Sequence, residues 1–509
     1  MKRINIFILC ILMLFLSSCT QKEVSVEDEK LNYLLAETGE ISIPLTPFES
    51  LDPLTTENMS YFYLSSLIFE GLFTLDDNLR PQTLLASSYN LDNNKMTISI
   101  KDGITFHDGS ALTVRDVLYS LEHFQNSAKG PYYNLVVNNI SREFPLSGKI
   151  IDNTTIEISY NGVGPFLKEY LIFPIVKEGT LSKKIPLGTG PYMVDSYENK
   201  KEIILQAYEN YHDEMPSISR IRGVYHDDKD LIYTSLETGR IHVSTSWGQN
   251  FYRFFNNEHF NAQTYPSNEM YFLFLNPEGE LANPNYREAI KSSIDKERII
   301  KIALDDQGIK TTGFINPNSY FCRVGQDITN IDKAKELLSG EKLTLKFYFY
   351  WKNEYQLKIA TLIAESLYNL GIKVEFVGNS DEDFNTYLEN LKAGGYDIAL
   401  SSMAVNIIPD YSYNLNSGIF PYQSETISKL NEDIKSTHNE SDLILVTNSI
   451  DETINRENIF IPLVYKMNAL IYSNAIVGDI KPNIIFPYKS LSTAYFTTKE
   501  NETIDEDAN

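Results

Sequence analysis

The sequence predicts an α/β protein built from two lobes. Strand-like and helix-like patterns alternate along the chain without an internal repeat, and 42% of its 509 residues are hydrophobic. A single hydrophobic core stops growing at about 250–300 residues, so a chain of this length divides into at least two units. A late strand-like stretch at 461–472 is expected to return the chain to the first lobe, which implies a hinge between the lobes.

The first half of the chain carries strand and helix patterns in turn. Strands are predicted where apolar and polar residues alternate, at 40–44, 96–100 and 154–160. Apolar residues at helical spacing predict helices over 61–73 and 114–124, the second with Thr113 as its N-cap. A positive φ is expected to require glycine in the turns at Gly103, Gly109, Gly188 and Gly190.

The strand-rich pattern of the sequence gives way to alternating strand and helix patterns near Tyr265–Pro266, which we take as the start of the second lobe. A buried strand is predicted at 270–275 and a helix at 286–303. After a short helix at 332–338, the pattern predicts a strand–helix–strand unit over 343–350, 355–370 and 373–377. Gly371 is the expected C-cap of the helix in that unit.

The N-terminus has the form of a bacterial export signal. Lys2 and Arg3 precede an apolar run at 4–16 that is too short to cross a membrane comfortably. The segment Leu16-Ser17-Ser18-Cys19 resembles a lipobox, in which cleavage leaves a diacylglycerated Cys19 as the new N-terminus. Residues 1–18 are therefore expected to be a removed signal peptide and residues 19–38 a flexible tether. The alternative is a signal anchor with an incidental cysteine.

Charge and cysteine usage exclude several classes of protein. The net charge of −24 repels nucleic acid and anionic lipid headgroups, so no nucleic-acid partner is expected. Cys10 leaves with the signal peptide and Cys19 carries lipid, so Cys322 alone remains and no intramolecular disulfide can form. The last ten residues, 500–509, form an acidic tail.

No catalytic or metal-binding constellation is present in the sequence. It lacks HExxH, GxSxG, CxxC, Walker and GxGxxG patterns, so we expect neither an enzyme nor a cofactor nor a bound metal. The seven histidines are scattered along the chain. His226 is flanked by Asp227 and Asp228, and a solvated turn is the expected setting for it.

Several segments in order resemble the family 5 extracellular solute-binding proteins, which are receptors of ABC importers for oligopeptides, dipeptides or nickel. These segments are Leu51-Asp52-Pro53, Phe69-Glu70-Gly71-Leu72, the run at 86–124, Gly188-Thr189-Gly190-Pro191-Tyr192 and Ile461-Pro462-Leu463. The resemblance implies a two-lobed fold like that of periplasmic binding proteins (type II, cluster C-like), with an extra subdomain and a hinged ligand cleft. In this scheme lobe I comprises 39–265 with 466–499, its extra subdomain covers about 65–182, and lobe II comprises 266–465.

The resemblance also implies a function. The chain is expected to be a monomeric, lipid-anchored receptor on the outer side of the cell membrane. It would capture peptides and deliver them to an ABC permease. A receptor for a nickel chelate or another small solute, and a peptide-sensing receptor, are the alternatives that share the fold.

Two stretches are the candidates for the solute site. In peptide-binding relatives a carboxylate shortly after a Gly-Trp-type pair receives the peptide ammonium; here Met403 occupies the usual Trp place and Asn406 the Asp place. Either Asp410 supplies the carboxylate from a shifted loop, or the protein does not hold a free N-terminus. The second stretch ends at Ser246 and Trp247, whose indole is expected either to stack on a solute or to pack in the core.

Overall fold

The computed structural model describes residues 35, 37–127, 129–132, 146–160, 166–246, 251–323, 325, 329–408, 415, 418–437 and 439–497. Cys19 with the predicted signal peptide, the tether up to residue 34, and the acidic tail lie outside the described residues. Within the described ranges, no helix combines the length and apolar character needed to span a bilayer.

Strands run through the whole described part of the chain. In chain order they are β1 (Glu40–Leu45), β2 (Phe73–Leu75), β3 (Pro81–Thr83), β4 (Ala86–Asp92), β5 (Lys95–Ile100), β6 (Ser147–Ile150), β7 (Thr155–Ser159), β8 (Tyr192–Glu198), β9 (Glu202–Ala207), β10 (Arg220–Tyr225), β11 (Val243–Thr245), β12 (Phe260–Leu275), β13 (Gly308–Lys310), β14 (Thr344–Tyr348), β15 (Lys373–Val377), β16 (Ile398–Ala404), β17 (Phe460–Ser473), β18 (Ile476–Val477) and β19 (Tyr495–Phe496).

Helices are concentrated in the second half of the chain. They are α1 (Met59–Ser65), α2 (Val114–Ser127), α3 (Leu167–Tyr170), α4 (Ile232–Glu237), α5 (Pro284–Ser293), α6 (Lys296–Ala303), α7 (Ile331–Leu338), α8 (Glu354–Asn369), α9 (Phe384–Ala393), α10 (Glu425–Lys435) and α11 (Glu440–Glu457). Short 3-10 helices add Lys229–Leu231, Tyr252–Phe254, Gly279–Ala282 and Lys489–Ser492.

Lobe I is built on a four-stranded sheet in the order β1-β10-β9-β8, in which β1 and β10 are parallel and the other pairs antiparallel. A second four-stranded sheet, in the order β4-β5-β7-β6, lies with α2 in the stretch expected to form the extra subdomain. Thr113 directly precedes α2, as predicted for its N-cap, but the side chain that accepts is that of Asp116: its Oδ2 accepts the N–H and the hydroxyl of Thr113, at 2.9 and 2.8 Å.

The predicted helix over 61–73 is too long. The helix α1 ends at Ser65, where the hydroxyls of Ser65 and Ser66 donate to the carbonyls of Phe62 and Tyr63. The following apolar residues are buried in turns that lead to β2, and burial in such turns gives the same apolar spacing as one face of a helix.

Lobe II contains most of a seven-stranded sheet in the order β11-β17-β12-β16-β14-β15, with β13 paired to β17. The predicted strand–helix–strand unit is confirmed as β14, α8 and β15, with the two strands parallel and Gly371 at φ +85°. The predicted helix over 286–303 is two helices, α5 and α6. The break occurs at Asp295, whose side chain accepts the N–H of Arg298 and caps α6.

Two long antiparallel strands, β12 and β17, connect the lobes. Their pairing extends from Phe260 opposite Ser473 to Phe274 opposite Phe460, with a register shift between Pro266 and Met270. The predicted strand over 270–275 is therefore too short, because the observed strand continues through the change of sequence pattern at Tyr265–Pro266. Proline is tolerated there because its missing N–H coincides with an interruption of the ladder. We take this register shift as the expected position of the hinge. The two-lobed α/β prediction is confirmed.

Candidate functional site

The carboxyl end of β16 lies at the hinge. Its register with β12 places Met403 opposite Met270, and the N–H of Val405 donates to the carbonyl oxygen of Asn268 at 2.8 Å. Side chains along β16 change from buried at its start to exposed at Ala404. The strand therefore leads the chain out of the lobe II core and into the space beside the hinge.

Two half-buried amides lie at this point. Asn268 precedes the lobe II half of β12, and Asn406 follows β16 by two residues. Neither side chain makes a hydrogen bond to the described part of the chain. Each amide offers two donors and one acceptor with two lone pairs, so both are available to a solute or to water that bridges to it.

The lobe I side of the hinge is formed where β11 ends against β17. Ser246 is 1% exposed, and its N–H donates to the carbonyl of Ala469 at 2.8 Å. Its own carbonyl accepts the Tyr233 hydroxyl at 2.9 Å, and its hydroxyl lies 3.4 Å from Asn468 Oδ1. Every polar group of Ser246 is therefore used within the protein, and Asn468 is the half-buried group beside it.

Three tyrosines lie together on the lobe I side of the hinge, one of them paired with Asn468. Tyr265 is paired with Asn468 in the β12–β17 register, and the Tyr63 ring lies edge-on to Tyr488 at 6.1 Å. Burial raises the pKa of Tyr63 to about 12 and that of Tyr265 further still, with Tyr63 and Tyr488 among the groups acting on Tyr265. The hydroxyls of Tyr265 and Tyr488 are buried without a well-aligned hydrogen bond among the described residues. The three rings form an apolar group whose hydroxyls are neutral.

The charges nearest the hinge are already compensated. Glu269 accepts the Tyr271 hydroxyl at 2.9 Å and lies 4.0 Å from the Lys466 ammonium. Lys466 in turn lies 4.2 Å above the Tyr355 ring. Because these charges are partnered within the protein, the half-buried groups left for a solute among the described residues at the hinge are the neutral amides of Asn268 and Asn406.

The sequence-predicted site residues differ in what the structure places around them. Asn406 and Met403 are half-buried at the hinge. The Asn406 amide makes no hydrogen bond to the described residues, and Met403 packs against the core. Ser246 is at the hinge too, but buried and hydrogen-bonded inward. Trp247 and Asp410 lie outside the described residues.

Sequence reasoning missed Asn268, Asn468 and Tyr265. All three belong to the two hinge strands, where polar residues interrupt long buried runs. That interruption is visible in the sequence. Only the strand register, however, shows that it brings Asn268 next to the end of β16 and Tyr265 opposite Asn468.

The described histidines act as parts of the scaffold. His242 accepts the Ser42 N–H through Nδ1 at 2.9 Å, and burial lowers its pKa to about 4. The solvated turn expected at His226 is wrong, because this side chain is 5% exposed, with Nε2 2.8 Å from the Ser235 hydroxyl and Nδ1 on a main-chain carbonyl. His438 lies outside the described residues. Within those residues, no three His, Cys, Asp or Glu side chains are grouped to hold a metal ion.

The glycine-rich segment at 188–192 is also part of the scaffold, for a reason other than the expected one. Gly103 and Gly109 do have positive φ, but Gly188 and Gly190 do not. A Cβ on Gly188 would lie 2.1 Å from the carbonyl oxygen of Ile68, so close backbone approach requires glycine there. The neighbouring Thr189 hydroxyl donates to the buried Glu70 carboxylate at 2.8 Å.

Two α/β lobes joined by two long strands are the architecture of solute receptors that enclose a ligand by hinge motion. The match to the family model supports this class. Residues 80–419 match the model of the bacterial extracellular solute-binding proteins, family 5 (its middle region), and the chain belongs to this family. It is therefore a solute-binding receptor.

Individual proteins show the same likeness. The nickel-binding protein NikA of Staphylococcus aureus is 24% identical over 410 residues, which cover 75% of this chain and 81% of NikA. The ABC transporter substrate-binding protein CtaP of Listeria monocytogenes has a similar fold, with a TM-score of 0.73 and 21% identity, covering 90% of this chain and 99% of CtaP. The periplasmic murein tripeptide-binding protein MppA, in its unliganded open form, gives a TM-score of 0.78 at 17% identity, covering 91% and 98%.

Proposed function

We propose that this receptor captures peptides in the cleft at its hinge and delivers them to an ABC permease. The observation that carries the proposal is the pair of free amides, Asn268 and Asn406, at the point where the lobes meet. Peptide main chains present alternating N–H and C=O groups, and an amide side chain offers a donor and an acceptor to each. Neutral groups and bridging water can serve peptides of different sequence.

The ammonium of a peptide needs a partner when it is buried. Asn406 can accept one hydrogen bond from it but adds no charge. In the proposal, Asp410 supplies this carboxylate or the solute is held by its main chain alone. Replacing Asp410 with alanine separates the two cases. Weaker binding of free peptides, with unchanged binding of N-acetylated ones, assigns the ammonium to Asp410, and unchanged binding of both assigns recognition to the main chain.

A nickel chelate is the second candidate, favoured by the likeness to NikA. First-row metals prefer imidazole, thiolate or carboxylate ligands. Among the described residues at the hinge, the half-buried groups available to a solute are the amides of Asn268 and Asn406, and His242 accepts the Ser42 N–H. A chelate would therefore have to be held through its organic ligand, which makes peptide the better-supported solute.

The chain is proposed to work at the outer face of the cell membrane. Cys19 would carry the lipid anchor, and the polar stretch that follows it would give the receptor reach to a permease. We expect the receptor to be a monomer.

The test is the melting temperature of the protein in the presence of defined solutes. A ligand at one hundred times its Kd stabilises the folded state by about 2.7 kcal/mol. A mixture of short peptides should raise the melting temperature, while free amino acids of the same composition, as the matched control, should not. A rise with nickel–histidine chelate and none with peptides would reassign the solute.

A further inference from the structure

The extra subdomain and lobe II meet in a contact that the solute site does not include. A segment of lobe II, residues 314–322, passes the hinge, where the Asn316 amide donates to the carbonyl of Ser267 at 3.1 Å. Farther along, the N–H of Tyr320 donates to the carbonyl of Asn78 at 2.8 Å. Since Ser267 directly precedes Asn268, the segment 314–322 runs from the hinge to the subdomain.

A carboxyl group is buried at the centre of this contact. Glu169, on the short helix α3 of the subdomain, is 1% exposed. Its Oε1 accepts the Tyr320 hydroxyl at 2.5 Å, and its Oε2 is buried with no hydrogen-bond partner among the described residues. A buried ionised carboxylate with an unpaired oxygen is strongly disfavoured, whereas a neutral carboxyl can be accommodated.

Charged groups surround the contact at its edge. Arg80 of the subdomain lies 4.4 Å above the Tyr320 ring and 2.6 Å from the Glu440 carboxylate at the start of α11. Lys168 lies 3.5 Å from the same carboxylate. Glu440 thus joins lobe II to two cations of lobe I, one of which covers the Tyr320 ring.

We propose that Glu169 and Tyr320 form a latch that holds the lobes together on the subdomain side of the cleft, and that Glu169 engages in the latch in its protonated state. The latch rests on the proposed solute-binding function, because holding the lobes together matters only if the cleft encloses a solute. It adds to that function a dependence of closure on pH.

The direction of the pH dependence follows from burial. Burial raises the pKa of Glu169 from 4.5 to about 7. The facing groups act in both directions, since Tyr320 and Lys168 lower this pKa and Glu440 raises it. When the lobes separate, Glu169 meets water and its pKa returns toward the ordinary value. Closing therefore takes up a proton, so closure is favoured at low pH and weakened as the pH rises through 7.

The size of the effect follows from the same two values. If the pKa is about 7 with the lobes together and about 4.5 with them apart, the ratio of closed to open protein rises about tenfold from pH 8 to pH 6. Glu169→Gln carries a neutral amide at all pH values, so it should keep a high closed fraction that does not change with pH.

The experiment is small-angle X-ray scattering of the full chain without solute at pH 8 and pH 6. The wild type should become more compact at pH 6, and Glu169→Gln should be compact at both. Tyr320→Phe retains the ring for Arg80 but removes the donor, so it should be more open at both. Glu122→Gln, an exposed change in the same subdomain, is the matched control and should behave as the wild type.

A wild type whose dimensions do not change with pH, or a Glu169→Gln variant that changes as much as the wild type, would overturn the latch. Because no solute is added, this failure is distinct from failure of the proposed function. Peptide binding that is independent of pH would leave the receptor function standing without the latch. Pronounced pH-dependent compaction with no peptide binding would support the latch and remove only its proposed purpose.

Discussion

Two substitutions at the hinge should distinguish a residue that contacts the solute from a residue that stabilises the fold. Asn268→Ala removes an amide that makes no hydrogen bond to the described protein, so the free energy of unfolding should change by less than about 0.5 kcal/mol. It should weaken peptide binding by one net hydrogen bond, about 0.5–1.5 kcal/mol, or about 2- to 12-fold in Kd. Ser246→Ala should do the opposite. It removes the hydroxyl that binds Asn468 and the Ala469 N–H, which costs about 1 kcal/mol of stability and leaves Kd nearly unchanged.

The assay pairs denaturant unfolding with calorimetric titration of the peptide that raises the melting temperature most. The two variants serve as controls for each other, because both change small polar groups on the hinge strands. If Asn268→Ala destabilises the fold without changing Kd, or Ser246→Ala weakens binding without loss of stability, the assignment of the free amides as solute contacts is wrong.

Three further outcomes are expected. Gly190→Ala should lower the melting temperature and reduce the free energy of unfolding by at least about 1–3 kcal/mol, because the new Cβ would lie 2.7 Å from the Ile68 carbonyl carbon. A melting temperature equal to that of the wild type would show that this backbone contact can relax. Cys19→Ser should release the protein from the membrane fraction, and full retention would remove the lipid anchor from the account. Burial lowers the pKa of His107 and His242 to about 4. Below about pH 6.5 these two histidines therefore take up protons in the unfolded chain but not in the folded one, so stability should fall between about pH 6.5 and pH 4. This fall in stability should be smaller in His107→Gln/His242→Gln than in the wild type, whereas equal slopes would contradict the assignment.

Local sequence signals predicted the periodic elements well. The Thr113 cap, the strand–helix–strand unit and Gly371 each depend on residues close together in the chain, so their chemistry can be recognised without a fold. Gly188 shows the limit of such signals. Glycine is required at this position because the backbone of Ile68, which is distant in the sequence, approaches it closely. The turn-like sequence predicted a positive φ instead, and Gly188 does not have one.

The candidate site was only partly predictable for the same reason. Asn406 was identified because the family pattern marks its position, but its partner Asn268 lies on another strand, and only the register of β12 and β16 joins them. Ser246 was chosen from its place at a strand end. Whether its polar groups face a solute or the protein depends on Tyr233 and Asn468, which no local pattern connects to it.

The central claim is that the gap at the hinge encloses a peptide. Native mass spectrometry of the receptor purified from its own host, without added solute, tests it most directly. We expect a population whose added mass is that of one short peptide, released as amino-acid-containing fragments on activation and reduced in Asn268→Ala. A bound mass that contains nickel, or one that is unchanged in Asn268→Ala, would contradict the claim.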